Sequence, residues 1–195
     1  MDEELGCLDP ARRARLEDPD RLRLLPARDL LMDAGVQAGM SVADVGCGPG
    51  FFTLPAAALV GPSGRVYALD ISPEMLLAVQ EKARGAGLGN IEAVLSEESA
   101  IPLRDAVAQF ALVAFVLHEA LRPDVFLGEV VRLLAPGGRV LLLEWKKEEM
   151  PMGPPIHDRL TPQEAEGWLV RAGFRIERRF EPNAHHYGLI GQTPA

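Results

Sequence analysis

From Ser41 onward, apolar runs and turn residues alternate along the chain in strand–helix order. Ser41–Val45 reads as a short buried strand ending in a glycine turn, and Phe51–Leu59 as the helix after it. Gly61-Pro62-Ser63-Gly64 is a turn, and Arg65–Asp70 a second strand. Ser72-Pro73-Glu74 opens a helix, because serine can cap, proline suits the first helical position and glutamate favours the positive end of the dipole. That helix runs to about Arg84, where Gly85, Gly87 and Gly89 end it. Ile91–Leu95 is a third strand, and Phe110–Leu117 is almost wholly apolar, as a strand covered on both faces should be. Val125, Phe126, Val130, Val131 and Leu134 keep helical spacing over Pro123–Leu134, Ala135-Pro136-Gly137-Gly138 stops that helix, and Arg139–Glu144 is a further strand. A helix starts at Thr161-Pro162-Gln163-Glu164, and Phe174–Phe180 and Tyr187–Gly191 close the series as strands.

The alternation predicts an α/β fold with a mainly parallel, seven-stranded sheet and helices on both faces. The first forty residues differ. They are rich in Arg, Leu, Asp and Pro, and predict a helix from Asp18-Pro19 through Leu30-Leu31, with Pro26 as a kink or break.

Composition narrows the picture only a little. The 195 residues suit one compact domain with a real core. A net charge of −8 argues against a general attraction to nucleic-acid phosphates, so no nucleic-acid partner is expected. No apolar run reaches the length of a membrane span, and Met1-Asp2-Glu3-Glu4 is unlike a signal peptide, which predicts a cytoplasmic protein. Cys7 and Cys47 lie far apart and outside any metal-ligand spacing; they read as free thiols, and no metal is expected.

The chemistry begins at Val45-Gly46-Cys47-Gly48-Pro49-Gly50. A buried strand runs into a turn whose glycines let the backbone approach a ligand, and a helix N-terminus follows. The spacing is G-x-G-x-G, not the G-x-G-x-x-G of dinucleotide sites, and no phosphate-binding lysine follows as in a P-loop. Asp70 ends the second strand about 20 residues later, where an acidic side chain can accept both hydroxyls of a ribose.

With these residues the chain resembles class I S-adenosylmethionine (SAM)-dependent methyltransferases over roughly residues 40–145. Val42–Gly50 is similar to their motif I and Tyr67–Ser72 to their motif II, and Leu133-Leu134-Ala135-Pro136-Gly137-Gly138-Arg139-Val140 resembles the later L-x-P-G-G turn. Within the family the likeness is to the ubiquinone/menaquinone-biosynthesis type and to small methyltransferases carrying F-x-x-H-E (Phe115–Glu119) and W-K-K-E (Trp145–Glu148). The resemblance implies a Rossmann-like fold, SAM as cofactor and methyl transfer to a small-molecule acceptor. It divides the single domain, residues 1–195, into an N-terminal helical segment (1–40), a SAM-binding core (41–145) and a substrate-side segment (146–195). It also implies a cofactor site of Asp44, Gly46, Cys47, Gly48 and Gly50, then Asp70, Ile71 and Met75. Glu97 would reach the adenine amino group with the Glu98 backbone at the ring edge, and Ala114 and Phe115 would lie beside the methionine part. Two residues depart from the family pattern: Glu97, where it usually has Asp, and Gln109, where Asp is common.

Beyond the cofactor the reading stays open. His118 can act as a general base beside the methyl donor, or cap the turn after its strand. Glu119 follows directly, but adjacent residues do not share a face. Ala184-His185-His186-Tyr187 lacks the companions of a metal site and reads either as a strand edge or as a segment folded over the mouth of the site against the acceptor. Lys146–Pro155 is charged and proline-rich, either a solvated loop or the rim of an acceptor entrance. Two rival functions remain: a non-catalytic or regulatory SAM-binding protein, and a nucleotide-dependent oxidoreductase.

Overall fold

A computed structural model describes residues 24–195. Cys7 and the Asp18-Pro19 helix start lie outside the described residues. Of the predicted N-terminal helix, the described part is α1 (Ala27–Asp33), which begins directly after Pro26. The order then runs β1 (Ser41–Val45), α2 (Thr53–Val60), β2 (Arg65–Asp70), α3 (Pro73–Gly85), β3 (Ile91–Leu95) and β4 (Ala108–Ala114). A one-turn 3₁₀ helix (Leu117–Glu119), α4 (Pro123–Leu133), β5 (Leu134–Trp145), α5 (Pro162–Arg171), β6 (Arg175–Phe180) and β7 (His186–Gln192) complete it.

The seven strands form one sheet in the order β3-β2-β1-β4-β5-β7-β6. β1 to β5 pair in parallel, and β7 runs antiparallel between β5 and β6. Strand order reverses direction between β1 and β4. In an open α/β sheet, the crevice at the carboxyl ends of the strands beside such a switch point is where ligands bind.

Side-chain alternation sorts the core into two layers. Val42, Val66, Phe110, Leu112, Leu141 and Leu143 face α1 and α2 through Leu30, Leu31, Ala56 and Val60. Ala43, Val45, Ala111, Val113, Val140 and Leu142 face α4 and α5 through Phe126, Leu127, Val130 and Leu169. Both faces of the central strands are therefore buried, which explains why their sequences read as continuous apolar runs. Helix starts follow their cap residues. Ser72 Oγ accepts from Met75 N ahead of Pro73, and Thr161 with Glu164 forms a capping box on α5.

Several expected boundaries move. The apolar run Phe110–Leu117 is not one strand: β4 stops at Ala114, and Phe115 takes φ +60 before the 3₁₀ turn. Phe115 and Leu117 stay buried after the chain turns, so hydrophobicity alone carries no mark of the exit. β5 starts earlier than Arg139, because Leu134 already pairs with Ala108. The Pro-Gly-Gly segment bulges before Arg139 rejoins the ladder opposite Phe110. The helix expected over Phe51–Leu59 spans Thr53–Val60.

Candidate functional site

The glycine turn leaves β1 at the switch point. Gly46, Gly48 and Gly50 have φ of +73, +52 and +89, a region L-residues with side chains rarely occupy. A Cβ on Gly46 would also come within 2.7 Å of Val116 Cγ2, so the turn and the segment leaving β4 touch backbone to side chain. Gly46 N and Cys47 N both donate to Leu69 O, tying the turn to β2. Cys47 is buried, and desolvation, reinforced by the carboxylates of Asp44 and Asp70, pushes its thiol pKa far up. It is a neutral structural thiol. Asp44 is buried too; its Oδ2 accepts from Thr53 Oγ1 at 2.5 Å. Desolvation raises its pKa to about 7, opposed by the Thr53 hydrogen bond and helped by Asp70.

Asp70 stands where the spacing placed it, at the end of β2. Its Oδ2 accepts from Gly48 N at 2.8 Å and its Oδ1 from Ser72 N at 2.9 Å. One carboxylate thus fixes the glycine turn and the start of α3 together. Ile71, next in the chain, is 62% exposed, and Leu95, paired with Asp70 across β3, is 54% exposed. Two large apolar side chains are open to solvent beside a buried carboxylate. Met75, by contrast, packs in the core of α3 and presents no open surface.

The other expected cofactor residues lie along the same carboxyl edge. Glu97 is exposed and pairs its backbone with Ala100 in a tight turn. Glu98 reaches instead toward the β4–α4 connection, its Oε1 accepting from Arg122 N at 2.8 Å. Ala114 is the last residue of β4, partly exposed, and Phe115 is buried. Gln109 is elsewhere: at the opposite end of β4 its Oε1 accepts from Ser41 N at 2.7 Å, anchoring the start of β1.

His118 has a partner that sequence spacing did not reveal. Its Nδ1 lies 2.8 Å from Glu144 Oε2, and its backbone N donates to Glu144 Oε1 at 3.2 Å. The two side chains are 5% and 1% exposed. Burial opposes a charged ring, but the Glu144 hydrogen bond and charge, with Glu119 and Asp158 behind them, outweigh it and hold the His118 pKa above its ordinary value. Glu144 is the penultimate residue of β5, and a lone acid closing an apolar run was the only available signal.

The C-terminal residues build the neighbouring wall. The buried His186 packs its ring on Trp145, with centroids 4.2 Å apart, and on Phe115 at 5.0 Å. Asn183 Oδ1 bonds His186 Nδ1 and the backbone N of His185, which explains the His-His pair as a structural corner. Among the described residues, no group of three His, Cys, Asp or Glu side chains stands close enough to hold a metal ion. The Lys146–Pro155 segment is held from inside by the buried Arg159, which donates to the carbonyls of Lys146, Glu148, Met152 and Pro154. Tyr187 fastens its end through Leu160 O and Thr161 O.

Comparison with known proteins agrees with this geometry. Residues 43–142 match the family model described as "Methyltransferase domain". Curated relatives include the ubiquinone/menaquinone biosynthesis C-methyltransferases UbiE of Pasteurella multocida and Hahella chejuensis. Each is 38% identical, the first over 58% of this chain and 43% of its own length, the second over 64% and 51%. The chain spans about half the length of the curated relatives it matches. A crystal structure of a SAM-dependent methyltransferase from Aquifex aeolicus superposes with a TM-score of 0.90 at 37% identity, covering 95% of this chain and 98% of that one. The cyclase SpnF shares the fold at 19% identity and a TM-score of 0.75, covering 87% of this chain and 81% of its own. By sequence, sheet order and site geometry together, the chain belongs to the class I SAM-dependent methyltransferases.

Proposed function

We propose that this chain transfers the methyl group of SAM to a small-molecule acceptor, with the cofactor lying across the carboxyl ends of β1, β2 and β4. One observation carries the placement: at the switch point, Asp70 holds both the glycine turn and the α3 N-terminus. A carboxylate has about four acceptor positions, and at a strand end beside a glycine turn it can serve ribose hydroxyls as well as backbone N–H groups. The exposed Ile71 and Leu95 suit the faces of an adenine, and the positive-φ glycines suit close approach of the amino-acid end. Glu97 would meet the adenine amino group and the Glu98 backbone the ring edge, with Ala114 and Phe115 on the methionine side. SAM, when bound, supplies an electrophilic methyl; the protein's part is to align acceptor and donor and to exclude water.

In this reading residues 41–145 hold the cofactor and residues 146–195 form the acceptor side. The UbiE relatives are C-methyltransferases by name, yet the family match ends at residue 142, before Glu144, Trp145 and the Arg159-bound loop. The acceptor is therefore read from this chain's own side chains. A cytoplasmic setting belongs to the same reading; no helix among the described residues is long and apolar enough to cross a membrane.

The test is calorimetric titration of SAM into the wild type and Asp70→Ala. The variant is expected to bind more weakly by about 1–3 kcal/mol, the cost of leaving buried polar partners unmatched. Wild-type affinity would remove Asp70 from the cofactor site.

A further inference from the structure

We propose that the acceptor is an uncharged molecule presenting a hydroxyl to His118 Nε2, with Glu144 as the residue that positions the imidazole. The inference rests on the methyl-transfer reading above and adds to it the chemistry of the acceptor.

Glu144 holds the histidine at two points, the backbone N at 3.2 Å and the ring Nδ1 at 2.8 Å. A carboxylate at Nδ1 keeps the proton there, which leaves the lone pair on Nε2. That nitrogen has Glu119 Oε1 at 3.7 Å, beyond hydrogen-bond length, and so retains its capacity to accept. The His118 side chain is 5% exposed, and Glu119, the acid nearest Nε2, is half-exposed. His118 is also two residues beyond Val116, whose side chain fills the space against Gly46. The segment that carries His118 thus packs against the turn assigned to the cofactor.

Three carboxylates from separate elements act on this imidazole: Glu144 from β5, Glu119 from the 3₁₀ turn and Asp158 from the loop before α5. Tyr187 of β7 lies within the field of Glu144, with its hydroxyl engaged by Leu160 O and Thr161 O. Such surroundings favour an imidazolium and disfavour an anion. A carboxylate, phosphate or preformed phenolate would be repelled. A neutral amine brings its own lone pair and needs no base, whereas a neutral hydroxyl is a weak nucleophile unless its proton leaves as it attacks.

In the step, the acceptor O–H bond breaks and its proton passes to His118 Nε2. The oxygen electron pair forms the new C–O bond while the S–CH₃ bond breaks, its electron pair staying on sulfur. The imidazolium then returns the proton to water past Glu119.

The full chain is incubated with methyl-labelled SAM and a small-molecule extract, and the atom bearing the label is identified. Turnover of that acceptor is then followed from pH 5 to 9 in the wild type, His118→Gln, Glu144→Gln and Glu144→Asp. The label is expected on oxygen, with wild-type kcat rising with pH through a midpoint above about 6.5, the ordinary histidine value. His118→Gln should lower kcat at least 100-fold and flatten the profile. Glu144→Gln should move the midpoint down, and Glu144→Asp should restore it toward the wild type. SAM affinity should stay within about twofold throughout, since proton transfer and cofactor binding are separate tasks. Label on nitrogen, sulfur or carbon overturns the hydroxyl acceptor, and a wild-type pH profile in His118→Gln overturns the base. SAM binding without label on any product overturns the methyl-transfer reading beneath both.

Discussion

Asp44 and His118 show how single side chains on this edge depart from their ordinary chemistry for opposite reasons. His118 is charged more readily because of the carboxylates around it, and Asp44 less readily because it is buried. For Asp44 the consequence is a pH dependence of stability. Its carboxyl titrates near 3.8 when unfolded and about 7 when folded, so the native state holds the proton more tightly. This site's favourable contribution is complete below pH 3.8 and is lost as pH rises toward 7. Asp44→Asn should therefore gain on the wild type between pH 4 and 8, on the order of 1.4 kcal/mol per pKa unit removed. Urea unfolding of both proteins at pH 4, 6 and 8 checks it. Parallel pH curves would show that Asp44 titrates normally. The same scale exposes a limit of reading by spacing: Glu144 lies 26 residues from His118, and nothing local couples them.

At the scale of elements, the loop between β5 and α5 is ordered by one buried cation rather than by secondary structure. Four backbone carbonyls converge on Arg159, and Gly153 lies so close to Trp145 that a Cβ there would be 2.8 Å from the indole ring. The charges and prolines of Lys146–Pro155 suggested a solvated loop or the rim of an acceptor entrance; the segment is mostly exposed, and Arg159 fixes its backbone. Arg159→Gln leaves several of these carbonyls without a donor and should cost about 1–3 kcal/mol in thermal unfolding. It should also speed limited proteolysis within residues 146–158 while cuts elsewhere keep their rates. Uniform acceleration would mean that Arg159 supports the whole domain instead. The exit of β4 makes a related point. Phe115 turns at φ +60 and still buries its ring against Trp145 and His186, so the turn leaves no polar signature.

For the whole molecule, a ligand bound at the switch point as proposed would join the glycine turn, β2 and the β4 exit, which lie on one edge of the sheet. A ligand that holds the native state and not the unfolded chain stabilises it by mass action, by about 2.7 kcal/mol at 100 times its Kd. SAM should raise the midpoint of thermal unfolding accordingly, and NAD should leave it unchanged. A shift with NAD and none with SAM would favour the oxidoreductase rival over methyl transfer.

The sequence by itself determined the seven strands, their mostly parallel order, the glycine turn and the place of Asp70. These follow from alternation, turn chemistry and a fixed loop-to-acid interval, which are local properties of a chain. The caps at Ser72 and Thr161 were legible for the same reason. Tertiary structure alone decided that Glu144 faces His118, that Arg159 gathers the β5–α5 loop, that Met75 is core and that Gln109 serves the far end of the sheet. Each depends on which distant elements the sheet brings side by side, and a burial pattern names only the face a residue turns inward, not the residue it meets there.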